Sequence, residues 1–183
     1  LNAESAGNIL SGIYDLTDTP PPDSAGNYKL FGVQYAQYLR GDVDFRYYQP
    51  LKGQNKMAYR IFLGGGYPYG NSDAMPFEKQ YFSGGANSIR AWQVRSLGPG
   101  SYDNENNQSL YPNQTGDVKL EANVEYRFQL FWILEGALFL DAGNIWSVNK
   151  QDQREGARFY WDEFYNDIAV GTGFGTRFDF SFF

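Results

Sequence analysis

Neither cysteine nor histidine occurs in this chain of 183 residues. Without cysteine there is no disulfide framework, thiol nucleophile or zinc-thiolate centre. Without histidine there is no Ser-His-Asp triad and no imidazole metal ligand. Positive charge is also short: 15 Lys and Arg against 21 Asp and Glu leave a net charge of -6, the wrong sign for a protein held to nucleic acid by phosphate contacts. Long apolar runs are missing too. A membrane-crossing helix needs about 20 consecutive apolar residues, and the run Leu130-Phe131-Trp132-Ile133-Leu134 stops at Glu135. The start, Leu1-Asn2-Ala3-Glu4, has no basic or apolar leader region, so a secretory signal is expected to have been removed or never to have been part of this chain. The end breaks off inside the alternating run Phe178-Asp179-Phe180-Ser181-Phe182-Phe183 and reads as a piece of something longer.

What the chain does have is aromatic residues, 15 Tyr, 15 Phe and 4 Trp, spread thinly enough that mean hydropathy is only -0.54. They alternate with polar residues, which is the period of strands rather than helices. From Val33 to Tyr48 one face carries Val33, Tyr35, Leu39, Val43, Phe45 and Tyr47, and the other Gln34, Tyr38, Arg40, Asp42, Asp44 and Arg46. After the turn at 50–54, Met57, Tyr59, Ile61 and Leu63 alternate with Ala58, Arg60, Phe62 and Gly64. Further on, Leu120, Ala122, Val124, Tyr126, Phe128 and Leu130 oppose Glu121, Asn123, Glu125, Arg127 and Gln129. Leu134, Leu138 and Leu140 then oppose Glu135, Phe139 and Asp141, and a final run from Ile168 to Phe180 sets Val170, Phe174 and Phe178 against Gly171, Gly173, Gly175, Arg177 and Asp179. With a shorter strand expected at Ile9–Leu16, the count reaches six.

One apolar and one polar face suit either a soluble sheet or a transmembrane barrel. Aromatic residues near strand ends, and short connections at 50–54 and 130–133 alternating with long ones near 17–28, 71–116 and 147–164, favour the barrel. The whole chain, 1–183, then forms one partial barrel domain. Its 46 residues between Gly70 and Asp117 far exceed the roughly 12–15 at which a loop is presumed functional or disordered. Gly84-Gly85 allows a turn with positive φ. Ile89 and Trp92 flank Arg90 with apolar surface that calls for burial, and a buried Arg needs carboxylates.

Several segments in order resemble the BamA/TamA superfamily of outer-membrane assembly translocases, the bacterial surface antigen family, and most closely its TamA-like members in Bacteroidetes. They are Phe82-Ser83-Gly84-Gly85, Ser88-Ile89-Arg90-Ala91-Trp92, Leu97-Gly98-Pro99-Gly100, Glu125-Tyr126-Arg127-Phe128 and Phe139-Leu140-Asp141-Ala142-Gly143-Asn144-Ile145-Trp146. The resemblance implies an all-β fold, an antiparallel transmembrane β-barrel segment with about six strands of a sixteen-stranded barrel, and a long loop folded inward. It implies a bacterial outer-membrane location and a non-enzymatic role in inserting or translocating other proteins, without cofactor or metal. Its implied partners are the lipid bilayer, unfolded outer-membrane clients and accessory assembly subunits, with no nucleic acid. It further implies that the loop motif Gly84, Gly85, Ser88, Ile89, Arg90, Ala91 and Trp92 lies inside the barrel with Arg90 on the lumen partners Glu125 and Asp141. Ala91 stands where that family has Gly, which argues against a positive-φ turn there. The alternative functions are a passive porin or two-partner-secretion-type pore, and a soluble β-sandwich binding module.

Other signals read as ordinary surface. The carboxylate pairs Asp162/Glu163 and Asp42/Asp44 are expected to be solvated loop and lumen charges, since nothing places them in a dry pocket. Asp103-Asn104-Glu105-Asn106-Asn107 faintly resembles a calcium loop but lacks its turn glycine and closing Glu. The sequons at Asn107 and Asn113 mean little in a bacterial outer-membrane protein. Gly171, Gly173 and Gly175 are expected to leave room for the inserted loop.

Overall fold

The computed structural model describes residues 1–17, 21–23, 26–102 and 114–178. The acidic run at 103–107, the sequon at Asn107, Asn113 of the second sequon, and Asp179 and Phe180 lie outside the described residues. Six strands form one antiparallel sheet, in the order β1 (Asn2–Ala6), β4 (Tyr38–Pro50), β5 (Lys56–Pro68), β6 (Val118–Phe131), β7 (Leu134–Trp146) and β8 (Ala169–Phe178). Helix α1 (Asn8–Thr17) and a small ribbon of β2 (Lys29–Leu30) and β3 (Val33–Gln34) join β1 to β4. The sheet is open, with β1 and β8 at its edges. Strands β4 to β7 run 13 or 14 residues, more than the roughly 9–11 that a tilted strand needs to cross a bilayer. No helix among the described residues is long and apolar enough to cross.

Two expected elements are corrected. Ile9–Leu16 is not a strand: Ile9, Ile13 and Leu16 recur at the spacing of one helix face, the segment folds as α1, and the strand that opens the sheet is Asn2–Ala6. Nor is 33–48 one continuous strand. Phe31 and Gly32, both at positive φ (51° and 81°), turn β2 into β3, and the long strand begins only at Tyr38.

The alternation itself survives. Leu138 and Leu140 are 51% and 49% exposed on the outer face, whereas Glu135 and Asp141 on the same strand are buried on the inner one. Two tight turns close one end of the sheet: 51–55, held by Leu51 N–H to Asn55 O at 2.9 Å, and Trp132-Ile133, where Trp132 takes φ 49° and Leu130 is bulged out of the register between Gln129 and Phe131. The three long connections, from β1 to β4, from β5 to β6 and from β7 to β8, therefore emerge at the opposite end. Asp42 departs from the solvated lumen charge expected of it. It is buried, accepts Asn2 Nδ2 at 2.7 Å, and lies beneath the Tyr81 hydroxyl and Arg40. Asp162 and Glu163 are exposed.

Candidate functional site

The connection from β5 to β6 folds back over the inner face. Its base is fixed by Asp117, whose carboxylate accepts Gln80 Nε2 and the Val148 N–H, both at 2.9 Å, and whose carbonyl accepts the Gly66 N–H at 2.7 Å. From there a bridge between Tyr81 and Gly116 carries the chain inward. The Tyr81 ring lies across β5 where a Cβ on Gly64 would come within 2.8 Å of it, and its hydroxyl reaches Gly41 O on β4 at 3.1 Å. Gly66 makes room for Met75 in the same way, 2.8 Å from a virtual Cβ. Small residues on the wall thus mark where loop side chains rest.

The tip, from Ser83 to Val94, is a compact turn. Gly84 and Gly85 take φ 93° and 90°, and a Cβ on Gly84 would sit 2.0 Å from Gln93 O. That conformation and that approach both require glycine. The Ser88 hydroxyl accepts the Gly84 N–H at 3.0 Å, and the Gly85 N–H donates to Trp92 O at 2.8 Å. Ile89 is fully buried. Ala91 is not in the left-handed region; Arg95 is, at φ 61°. Ala91 and Trp92 instead rest on Gly171 of β8, where a Cβ would lie 2.6 Å from Ala91 Cβ and 3.2 Å from the indole. The expectation that the β8 glycines leave room for the loop therefore holds at Gly171. Gly173 instead accommodates the Phe139 ring, and Gly175 faces open space.

Arg90 projects from this turn onto the wall between β6 and β7. Its Nε and Nη2 donate to Asp141 Oδ2 and Oδ1 at 2.8 and 2.7 Å, and its backbone N–H also donates to Oδ2 at 3.0 Å. Nη1 donates to Glu125 Oε2. The guanidinium carbon stands 3.7 Å from the centre of the Phe139 ring, a cation–π position. Further groups complete the set. Asn123 Nδ2 donates to Asp141 Oδ1 at 2.9 Å and to Ser88 O at 3.0 Å, while Arg127 Nε donates to Glu125 Oε1 at 2.5 Å. Two guanidinium groups thus face two carboxylates, and the Asp141 side chain is fully buried. Charge balance matters here, because a lone buried carboxylate is strongly disfavoured.

Beyond the tip, Leu97 to Gly100 binds the end of β7 through Gly100 N–H to Ile145 O at 2.7 Å and Asn144 Nδ2 to Gly100 O at 2.9 Å. Trp146, fully buried, donates from Nε1 to Asp167 Oδ2 at 3.2 Å. Sequence reasoning left out one cluster, formed by Glu121 with Ser83, Ser88, Lys119 and Arg60. Its only signal was that Glu121 shares a face with Glu125. Among the described residues no group of three or more acidic side chains is set to hold a metal ion.

Residues 11–183 match the Omp85 superfamily domain. The chain is also 28% identical over 97 residues to the outer membrane protein assembly factor BamA of Neisseria meningitidis serogroup B, a stretch that covers 50% of this chain and 12% of that protein. The chain thus spans a small part of the length of that relative.

Proposed function

Starting from its membership of the Omp85 superfamily of bacterial outer-membrane barrels, we propose that this chain forms part of a barrel that inserts or translocates other outer-membrane proteins, and that its inward loop braces the wall through Arg90. The observation that supports this reading is the contact of Arg90 with both Asp141 and Glu125, made from a loop whose tip is shaped by Gly84, Gly85 and Ser88. No nucleotide or cofactor is invoked. The physical task is to lower the barrier for a client strand to leave water with its backbone hydrogen bonds made, because each unsatisfied group in hydrocarbon costs several kcal/mol. The loop's part in that task is to hold the β6–β7 wall in one shape while other parts of the barrel move. Unfolded client barrels and accessory assembly subunits are the partners this role calls for.

The test is complementation in cells depleted of the full-length protein, with outer-membrane protein levels as the readout. Arg90→Ala is expected to lower assembly while the protein is still made and inserted. A depletion that leaves outer-membrane protein levels unchanged, together with high ion conductance insensitive to Arg90→Ala, would instead identify a passive pore.

A further inference from the structure

Arg90 secures one side of the loop tip, and a separate set of contacts gathers around Glu121. This residue points inward from β6, its side chain wholly enclosed. The loop reaches it with two hydroxyls: Ser83 Oγ donates to Oε1 at 3.0 Å, and Ser88 Oγ donates to the same oxygen. The wall reaches it with two cations, Lys119 Nζ at 2.9 Å from Oε1 and Arg60 Nη1 at 3.3 Å from Oε2. Those cations also turn to the loop backbone. Lys119 Nζ donates to Phe82 O at 2.7 Å, and Arg60 Nη1 donates to Asn87 O at 2.8 Å. Opposite Glu121 in the register stands Gly143, at φ 156°, where a Cβ would lie 2.2 Å from Leu120 O and 2.9 Å from Glu121 Cα. The wall is therefore relieved at the point where this carboxylate sits.

We propose that Glu121 is a positioning residue that holds the Ser83–Ser88 segment as a second anchor, separate from Arg90. The inference rests on the reading of the loop as an internal brace. The two anchors differ in how they part. If Arg90 leaves, Asp141 loses its guanidinium and keeps the neutral Asn123 donor on the wall. If Ser83 and Ser88 leave, Glu121 keeps Lys119 and Arg60, so the charges stay paired on the wall. A buried charge that loses its partner is costly, and one that keeps its partners is not. The Glu121 anchor is therefore the one that can open and reclose, with Arg90 as the point about which the tip swings.

The chain has no cysteine, so Ile89→Cys, at a fully buried position beside Ser88, reports opening through its labelling rate with a water-soluble maleimide. The measurement uses the full-length protein in native outer membranes, any cysteine elsewhere in it replaced by serine and folding checked by heat-dependent gel mobility. Ser88→Ala is expected to speed labelling about tenfold, the scale of a lost hydrogen bond to a charged acceptor. Ser88→Thr, which keeps the hydroxyl, should restore the slow rate, a rescue that simple packing loss would not show. Glu121→Gln, which keeps an acceptor oxygen but not the charge, should also speed labelling, and Ser88→Ala added to it should contribute less than it does alone. Combining Ser88→Ala with Arg90→Ala should multiply the two single effects. Unchanged labelling in Ser88→Ala, or a combination with Arg90→Ala no faster than Arg90→Ala alone, would overturn the second anchor. If Arg90→Ala leaves client assembly intact while Ser88→Ala still speeds labelling, the function proposed above fails and the anchor stands.

Discussion

Arg90 grips Asp141 at three points: two guanidinium nitrogens span both carboxylate oxygens at 2.8 and 2.7 Å, and the backbone N–H of the same residue reaches Oδ2 at 3.0 Å. This geometry matches a planar fork and has no counterpart for an ammonium group. Arg90→Lys should therefore fail nearly as badly as Arg90→Ala. Truncating one partner of a buried pair costs about 3–5 kcal/mol, and the part-exposed Arg90 places the expected loss at the lower end. Urea titration of the folded barrel in detergent checks it, and Asp141→Asn should lose less than Asp141→Ala because it keeps the acceptor oxygen.

The outer face offers a second test. Leu138 is half exposed on that face and paired with Tyr126 and Phe174 on the neighbouring strands, so it is expected to meet lipid. Leu138→Arg should cost about 2–4 kcal/mol if it lies near the midplane, falling toward zero at the interfaces. Folding free energy in bilayers measures this, and a value near zero at 138 would put the residue outside the hydrocarbon.

Gly171 and Ala91 form a matched pair. A methyl on Gly171 would approach Ala91 Cβ to 2.6 Å, and such overpacking typically costs about 1–3 kcal/mol. Gly171→Ala should weaken loop docking, and adding Ala91→Gly should recover most of the loss. Gly175→Ala, facing open space, should be close to neutral. Limited proteolysis of the loop distinguishes the three proteins, and failure of Ala91→Gly to rescue would separate the two positions.

The long connection between β7 and β8 is expected to respond to pH. Burial works to raise the Asp152 pKa, but hydrogen bonds from the Arg154 side chain and backbone, and from Ser147, outweigh it and hold the carboxyl at about 2. Arg154 also donates to Thr115 O at 3.3 Å, which ties this connection to the base of the inward loop. A carboxyl whose pKa is depressed on folding stabilises the fold above its unfolded value, and that stability fades as pH falls through the folded one. The window is therefore from near 4 down to about 2, and on the order of 2 kcal/mol is at stake. Hydrogen exchange of residues 147–158 should be flat from pH 7 to 5 after correction for the intrinsic rate and rise below 4. Arg154→Ala, which lets the Asp152 carboxyl return toward its unfolded value, should raise exchange already at neutral pH and shrink the rise below 4.

Much of this architecture was readable residue by residue, because strand alternation is a local property. The inward and outward faces of β6 and β7 follow from every second side chain between Leu120 and Asp141, and neither long-range contact nor burial is needed to assign them. The first strand and α1 were misread because eight residues around Ile9 carry both a partial alternation and an i, i+4, i+7 ridge. What tips such a segment is its surroundings: Tyr14 stacks on Tyr28 and Tyr35, at 5.1 and 5.9 Å between ring centres, partners that local periodicity does not reveal.

The sequence by itself determined that the chain makes long strands with one apolar face, that no catalysis by cysteine or histidine is possible, and that a glycine-rich loop carries an arginine toward acidic strands. Tertiary structure alone decided which carboxylate meets which loop group. Ser83 and Glu121 are 38 residues apart, and Arg90 and Asp141 are 51 apart. Parity places a carboxylate on the inner face but says nothing of its height along the strand relative to a loop that enters from one end. That height is set by the register of β5, β6 and β7 and by the depth to which Met75, Tyr81 and Ala91 can settle onto the glycines of the wall, a matter of packing between distant segments.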